Sequence, residues 1–166
     1  MKRTIKQLSR YEMLVIATEY ANTPCSASGD FFSERYGVSK NTFYSILHKA
    51  IIESIVTIDV ARQIARKASY NTRQHGGEGA EIRTNRVYNE DIQQRENFRF
   101  GREEAKKWVE MYADSKDPLE IFCRKNFLSP ILLQRAIVDV STYNWITSEY
   151  LDKLMLKAWK RVVIMT

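Results

Sequence analysis

Apolar positions recur along this chain every three to four residues, broken by short polar stretches that carry Ser, Thr, Asp, Pro or Gly. That spacing puts one apolar stripe on each of a series of helices, and no sustained alternation of the strand kind is present. The first run, LSRYEMLVIATEYA, opens with Ser9 three residues before Glu12, the pairing of a capping box, and Leu8 can pack on Met13 as a staple. It predicts a helix ending near Asn22. TPCSASG is then a loop, DFFSERY a short helix ended by Gly37, and Ser39 the cap of KNTFYSILHKAI, whose apolar residues fall at 43, 46, 47, 50 and 51. Thr57 caps IDVARQIARKA. Beyond residue 101, REEAKKWVEMYA, DPLEIFCRK, SPILLQRAIVDVS and TSEYLDKLMLKAWKRVV predict four more helices, with Asp117-Pro118 and Ser129-Pro130 as cap plus first-position proline. The expected fold is all-α.

Residues 69–101 differ in character, with Gly76, Gly77, Gly79 and Gly101, mixed charge and few apolar side chains. They read as a polar linker or arm, with room for a short helix around NEDIQQREN. The expected organisation is a helical unit over 1–68, the linker over 69–101 and a second helical unit over 102–166. The two units resemble one plan used twice: ninety residues apart, Phe32, Ser39, Thr57, Lys67 and Ala68 meet Phe122, Ser129, Thr147, Lys157 and Ala158, and helix order and caps agree. A tandem duplication is the expectation.

The stretch FFSERYGVSKNTFYSILHKA carries the strongest signal. A helix-turn-helix needs apolar side chains a turn apart on its first helix, a small residue at the crossing, a glycine at positive φ followed by an apolar plug, and buried positions three apart on the second helix. Phe32, Ser33, Tyr36, Gly37, Val38, Phe43 and Ile46 fill those slots. On the second helix Lys40, Asn41, Tyr44, Ser45 and His48 are then expected to face outward as base readers. Lys suits guanine and Asn suits adenine in the major groove, and Tyr44 can meet a thymine methyl or a phosphate. Ser39 leaves helix N-terminal amides that suit a phosphate, with Arg35 and Lys49 as further phosphate contacts.

Composition shifts the picture modestly. A net charge of +6 and a pI near 9.3 favour an anionic partner, here double-stranded DNA. Cys25 and Cys123 lack CxxC spacing and only two histidines are present, so neither a metal nor a disulfide framework is expected and both thiols read as reduced. The apolar run MLVIATEYA is short and interrupted by Glu19, so no export or membrane segment is expected and the location is read as cytoplasmic, at the nucleoid. No nucleophile–base pair, phosphate loop or paired carboxylate motif stands out. The expectation is a protein without catalytic residues or cofactors.

The N-terminal half resembles the stage III sporulation protein D type of transcriptional regulator. The resemblance rests on YGVSKNTFYSILHKAI, on VARQIARKA and on RQHGGEGAEIRTNRVY at nearly the family's distance between its two motifs. It implies sequence-specific DNA binding through a recognition helix from Ser39 to His48, and a basic arm of Arg73, His75, Arg83 and Arg86 lying along the DNA backbone. The family's arm is dense in lysine, whereas Glu78 and Glu81 dilute this one, and the second helical unit lies outside the resemblance.

In that second unit, IFCRKNFLSPILLQRAIV keeps Phe122, Cys123, Leu128, Ser129, Leu133 and Ala136, but Phe127 stands where Gly37 stood. The turn must therefore be rearranged or tolerate strain. Its outward face, Pro130, Ile131, Gln134, Arg135 and Val138, is far more apolar than the first. Ser129, Ile131, Gln134 and Arg135 are the candidate contacts, either to DNA or to a second copy or another protein. Trp108, Trp145 and Trp159 read as core or interface. A DNA-binding regulator is the leading function; a DNA-recognition subunit of a phage or mobile-element packaging or transposition complex and a protein adaptor without DNA binding are the alternatives.

Overall fold

The computed structural model describes the backbone of residues 1–24, 28–76 and 78–165, and side chains outside 72–86 and 161–166 within those ranges. The fold is all-helical. A 3₁₀ turn at Ile5–Gln7 precedes α1 (Arg10–Asn22), α2 (Gly29–Tyr36), α3 (Lys40–Ile52), α4 (Ile58–Gly76), α5 (Glu78–Arg95), α6 (Arg102–Asp114), α7 (Leu119–Lys125), α8 (Pro130–Thr142) and α9 (Ser148–Met165). They form two units, Met1–Phe98 and Arg99–Thr166.

The capping logic holds at the start of the chain. The Ser9 N–H donates to Glu12 Oε2 at 2.8 Å while Ser9 Oγ accepts from the Glu12 N–H at 3.1 Å, and Leu8 and Met13 are both buried. The core of the first unit is aromatic where α1, α2 and α3 meet. Phe32 stacks on Phe43 with ring centroids 5.7 Å apart, and Tyr20 stands edge-on to both at 5.3 and 5.4 Å. Lys67 of α4 is buried beside them, its Nζ donating to the Tyr20 and Thr23 carbonyls at 2.8 and 3.2 Å and lying 4.4 Å from the Tyr20 ring centroid. A cation there complements the negative end of α1.

The expected linker is corrected. α4 runs on to Gly76, and Glu78–Arg95 is a helix that packs along α4 and against α3. Tyr88 and Asp91 of α5 are buried, and Arg95 donates to the Ile51 carbonyl at the end of α3 at 3.2 Å. Apolar residues are sparse in this stretch, yet among the described residues Tyr88 and half-buried Ile92, with Asp91 and Arg95 as polar partners, hold α5 to the core while its other face stays in water. Pro118, expected as the first residue of α7, is instead its N-cap, while Pro130 does open α8 after Ser129.

Positions ninety residues apart share backbone detail in the two units. Gly37 and Phe127 both have positive φ, 66° and 53°, and so do Ser54 and Asn144, 56° and 55°. The Val38 N–H donates to the Ser33 carbonyl at 3.0 Å, as that of Leu128 does to Cys123 at 2.9 Å. Lys157, like Lys67, lies 4.4 Å from a tyrosine ring, here Tyr112, and donates to the Asp117 carbonyl at 3.0 Å. The turn at Phe127 is therefore not rearranged: it adopts the left-handed conformation without glycine.

Candidate nucleic-acid interface

The turn between α2 and α3 is built from short-range forces. Ser33 is buried at the crossing and its hydroxyl donates to the Asp30 carbonyl at 2.9 Å, so a small polar residue sits there without an unmet hydrogen bond. Gly37 takes the left-handed conformation, φ 66° and ψ 35°, and Val38 is fully buried behind it. Ser39 Oγ then accepts from the Thr42 N–H at 3.1 Å and starts α3. On the inner side of α3, Phe43, Ile46, Leu47, Ala50 and Ile51 are buried.

The N-terminal tripeptide straps this turn, which the sequence reading missed. The Arg3 N–H donates to the Gly37 carbonyl at 2.9 Å, and its guanidinium donates to the Tyr36 carbonyl at 3.2 Å and pairs with Glu12 at 3.0 Å. Lys2 is exposed beside it. The signal in the sequence is the basic tripeptide Met1-Lys2-Arg3 itself. Hydrogen bonding to Ser9 and then to Arg3 holds the Glu12 carboxyl below its ordinary value.

The outward face of α3 divides in two. At its N-terminal end Lys40, Asn41 and Ser45 are exposed; Lys40 Nζ lies 3.5 Å from Asp30, an exposed pair that water and salt screen readily. Tyr44 is half-buried with its hydroxyl over the start of α2, close enough that a Cβ on Gly29 would lie 2.7 Å from it. His48 is not a free outward reader. Its Nδ1 pairs with Asp91 Oδ2, and its ring stacks on Tyr88 at 4.9 Å with the planes 8° apart, because α5 covers the C-terminal half of α3. Burial pushes the Tyr88 hydroxyl far up from its ordinary value, so it stays neutral beneath the imidazole.

The expected phosphate contacts are partly engaged within the fold. Arg35 Nε pairs with Glu19 at 2.9 Å and remains half-exposed, and Lys49 Nζ lies 3.5 Å from Glu53. Glu53 itself is buried and takes Arg10 at 3.1 Å. Ser39 spends its acceptor on the cap. The side chains of Arg73, His75, Arg83 and Arg86 lie outside the described residues; the backbone at these positions is helical.

In the second unit Ser129 caps α8 without a side-chain hydrogen bond. Ile131, Gln134 and Val138 are exposed and Arg135 is half-buried, so this face is the apolar one the spacing predicts. Cys123 is buried, and burial together with Glu120 raises its thiol to about 11; Cys25 lies outside the described residues. Among the described residues no cluster of His, Cys, Asp or Glu could hold a metal ion, and no helix is long and apolar enough to cross a membrane. Comparison with protein-family models, curated proteins and solved structures finds no match to this chain.

Proposed function

We propose that this chain is a sequence-specific double-stranded DNA-binding protein, acting as a transcriptional regulator, and that its two units arose by tandem duplication. The observation that carries the reading is the open N-terminal end of α3: Lys40, Asn41 and Ser45 stand exposed with no acidic residue among them, on a capped helix leaving a glycine turn. In this reading Lys40 and Asn41 read base edges and Ser45 supports them. Arg35, Lys49, the Ser39 end of α3 and Lys2 meet phosphates, the surface pairs exchanging a carboxylate for a phosphate. His48 and Tyr44 hold the recognition helix in place. Both resemblance and net charge support the assignment, as do the matched turns for duplication.

The decisive experiment is selection of bound duplexes from a random pool with the full-length chain, followed by Asn41→Ala. A sharp motif is expected, with the variant losing about 1–3 kcal/mol at that site and much less on random DNA, since base contacts specify and phosphate contacts only position. Absence of enrichment would favour the adaptor reading. The apolar faces of the second unit give the packaging or transposition subunit its specific support, and the mass of the DNA complex distinguishes a small regulator from a large assembly.

A further inference from the structure

The outer face of α9 is apolar and open. Met155, Leu156 and Trp159 are 70%, 54% and 67% exposed, and with Asp152 and Lys160 they form a stripe at positions i, i+3, i+4, i+7 and i+8 of one helix. The corresponding helix of the first unit is α4, which buries Ala65 and Ala68 and has α5 packed along it. Ninety residues on, those positions are Met155 and Ala158, both exposed. Two positions buried in the first unit are thus exposed in the second, while Arg62, Arg66 and Tyr70, the counterparts of Asp152, Leu156 and Lys160, are exposed as those are.

The charges on this stripe say which helix fits. Among the described residues, Asp152 stands at its N-terminal end and Lys160 at its C-terminal end, with the apolar residues between. A second α9 running antiparallel, crossing near Leu156, brings each Asp152 against the Lys160 of the other copy while Met155, Leu156 and Trp159 interlock. A parallel pairing in register would set like charges together. We infer that the chain forms a two-fold symmetric homodimer through α9, an interface that presents the same stripe from both copies. A single helix pair is small beside a standard interface, so the dimer is a weak one that dissociates at low concentration. This inference is independent of DNA binding.

The test is sedimentation equilibrium of the full-length chain without DNA. A monomer–dimer equilibrium is expected, with Trp159→Glu raising the dissociation constant by at least about 30-fold, as loss of a central aromatic anchor does. Because that variant could act by disturbing the unit, the charge pair supplies the second measurement. Asp152→Lys alone and Lys160→Asp alone should each weaken the dimer about 5- to 10-fold, and the double exchange should restore it. A wild-type chain that stays monomeric at about 100 μM, a dimer that survives Trp159→Glu, or a double exchange no better than the single ones would overturn the inference.

Discussion

Replacing Gly37 by Ala isolates a backbone term with little else in the way. A Cβ built at Gly37 would meet nothing within 4 Å, so sterics with neighbours contribute no cost. What remains is φ of 66°, where an L-residue other than glycine is disfavoured by about 1–2 kcal/mol, less about 0.4–1 kcal/mol gained because alanine narrows the unfolded chain. The net is a loss of about 1 kcal/mol, or roughly 4–8 °C in Tm for a unit of this size. Phe127, at φ 53°, provides the matched test: Phe127→Gly and Phe127→Ala both lose the ring, so their difference reads the backbone alone. Glycine should be the more stable by about 1 kcal/mol, the reverse of the order inside a helix. The three tryptophans, Trp108, Trp145 and Trp159, all lie in the second unit, so urea unfolding followed by tryptophan fluorescence reports the Phe127 pair and far-UV circular dichroism reports both. Alanine equal to or better than glycine at either position would refute the account of the turns.

Arg10→Ala should destabilise the first unit by about 1–3 kcal/mol, since buried Glu53 loses its guanidinium partner and keeps only Lys49 at 3.5 Å; chemical denaturation measures it. His48→Ala should cost about 1–3 kcal/mol of stability by leaving Asp91 without its imidazole, yet leave the selected DNA motif unchanged; an altered motif would return His48 to the readers. Glu12 has a lowered carboxyl, so its stabilisation is present above the ordinary carboxylate value and is lost as pH falls through the folded one; Glu12→Gln should flatten acid-side denaturation. Cys123, with a thiol near 11, should react with thiol reagents at pH 8 only on the timescale of unfolding, followed by mass of the labelled peptide.

Whatever depends on residues within about four positions was written in the sequence. The Ser9–Glu12 capping box, the Ser39 cap, the glycine turn and the inner stripe of α3 all follow from local geometry, and so did the outward placement of Lys40, Asn41 and Ser45. The second turn was legible only in part: the residue matches ninety positions apart pointed to a turn at Phe127, while residue type argued against it, and the fold imposed the conformation that residue type disfavours. Partners far apart in the chain were decided by tertiary structure alone. His48 meets Asp91 and Arg10 meets Glu53, each across 43 residues, and Arg3 reaches Tyr36 across 33. A helical wheel separates the side of α3 that faces its own core from the side that does not. It holds no information on whether another helix will later cover that second side, and for the C-terminal half of α3 the answer came from α5, held among the described residues by Tyr88, Asp91 and Ile92.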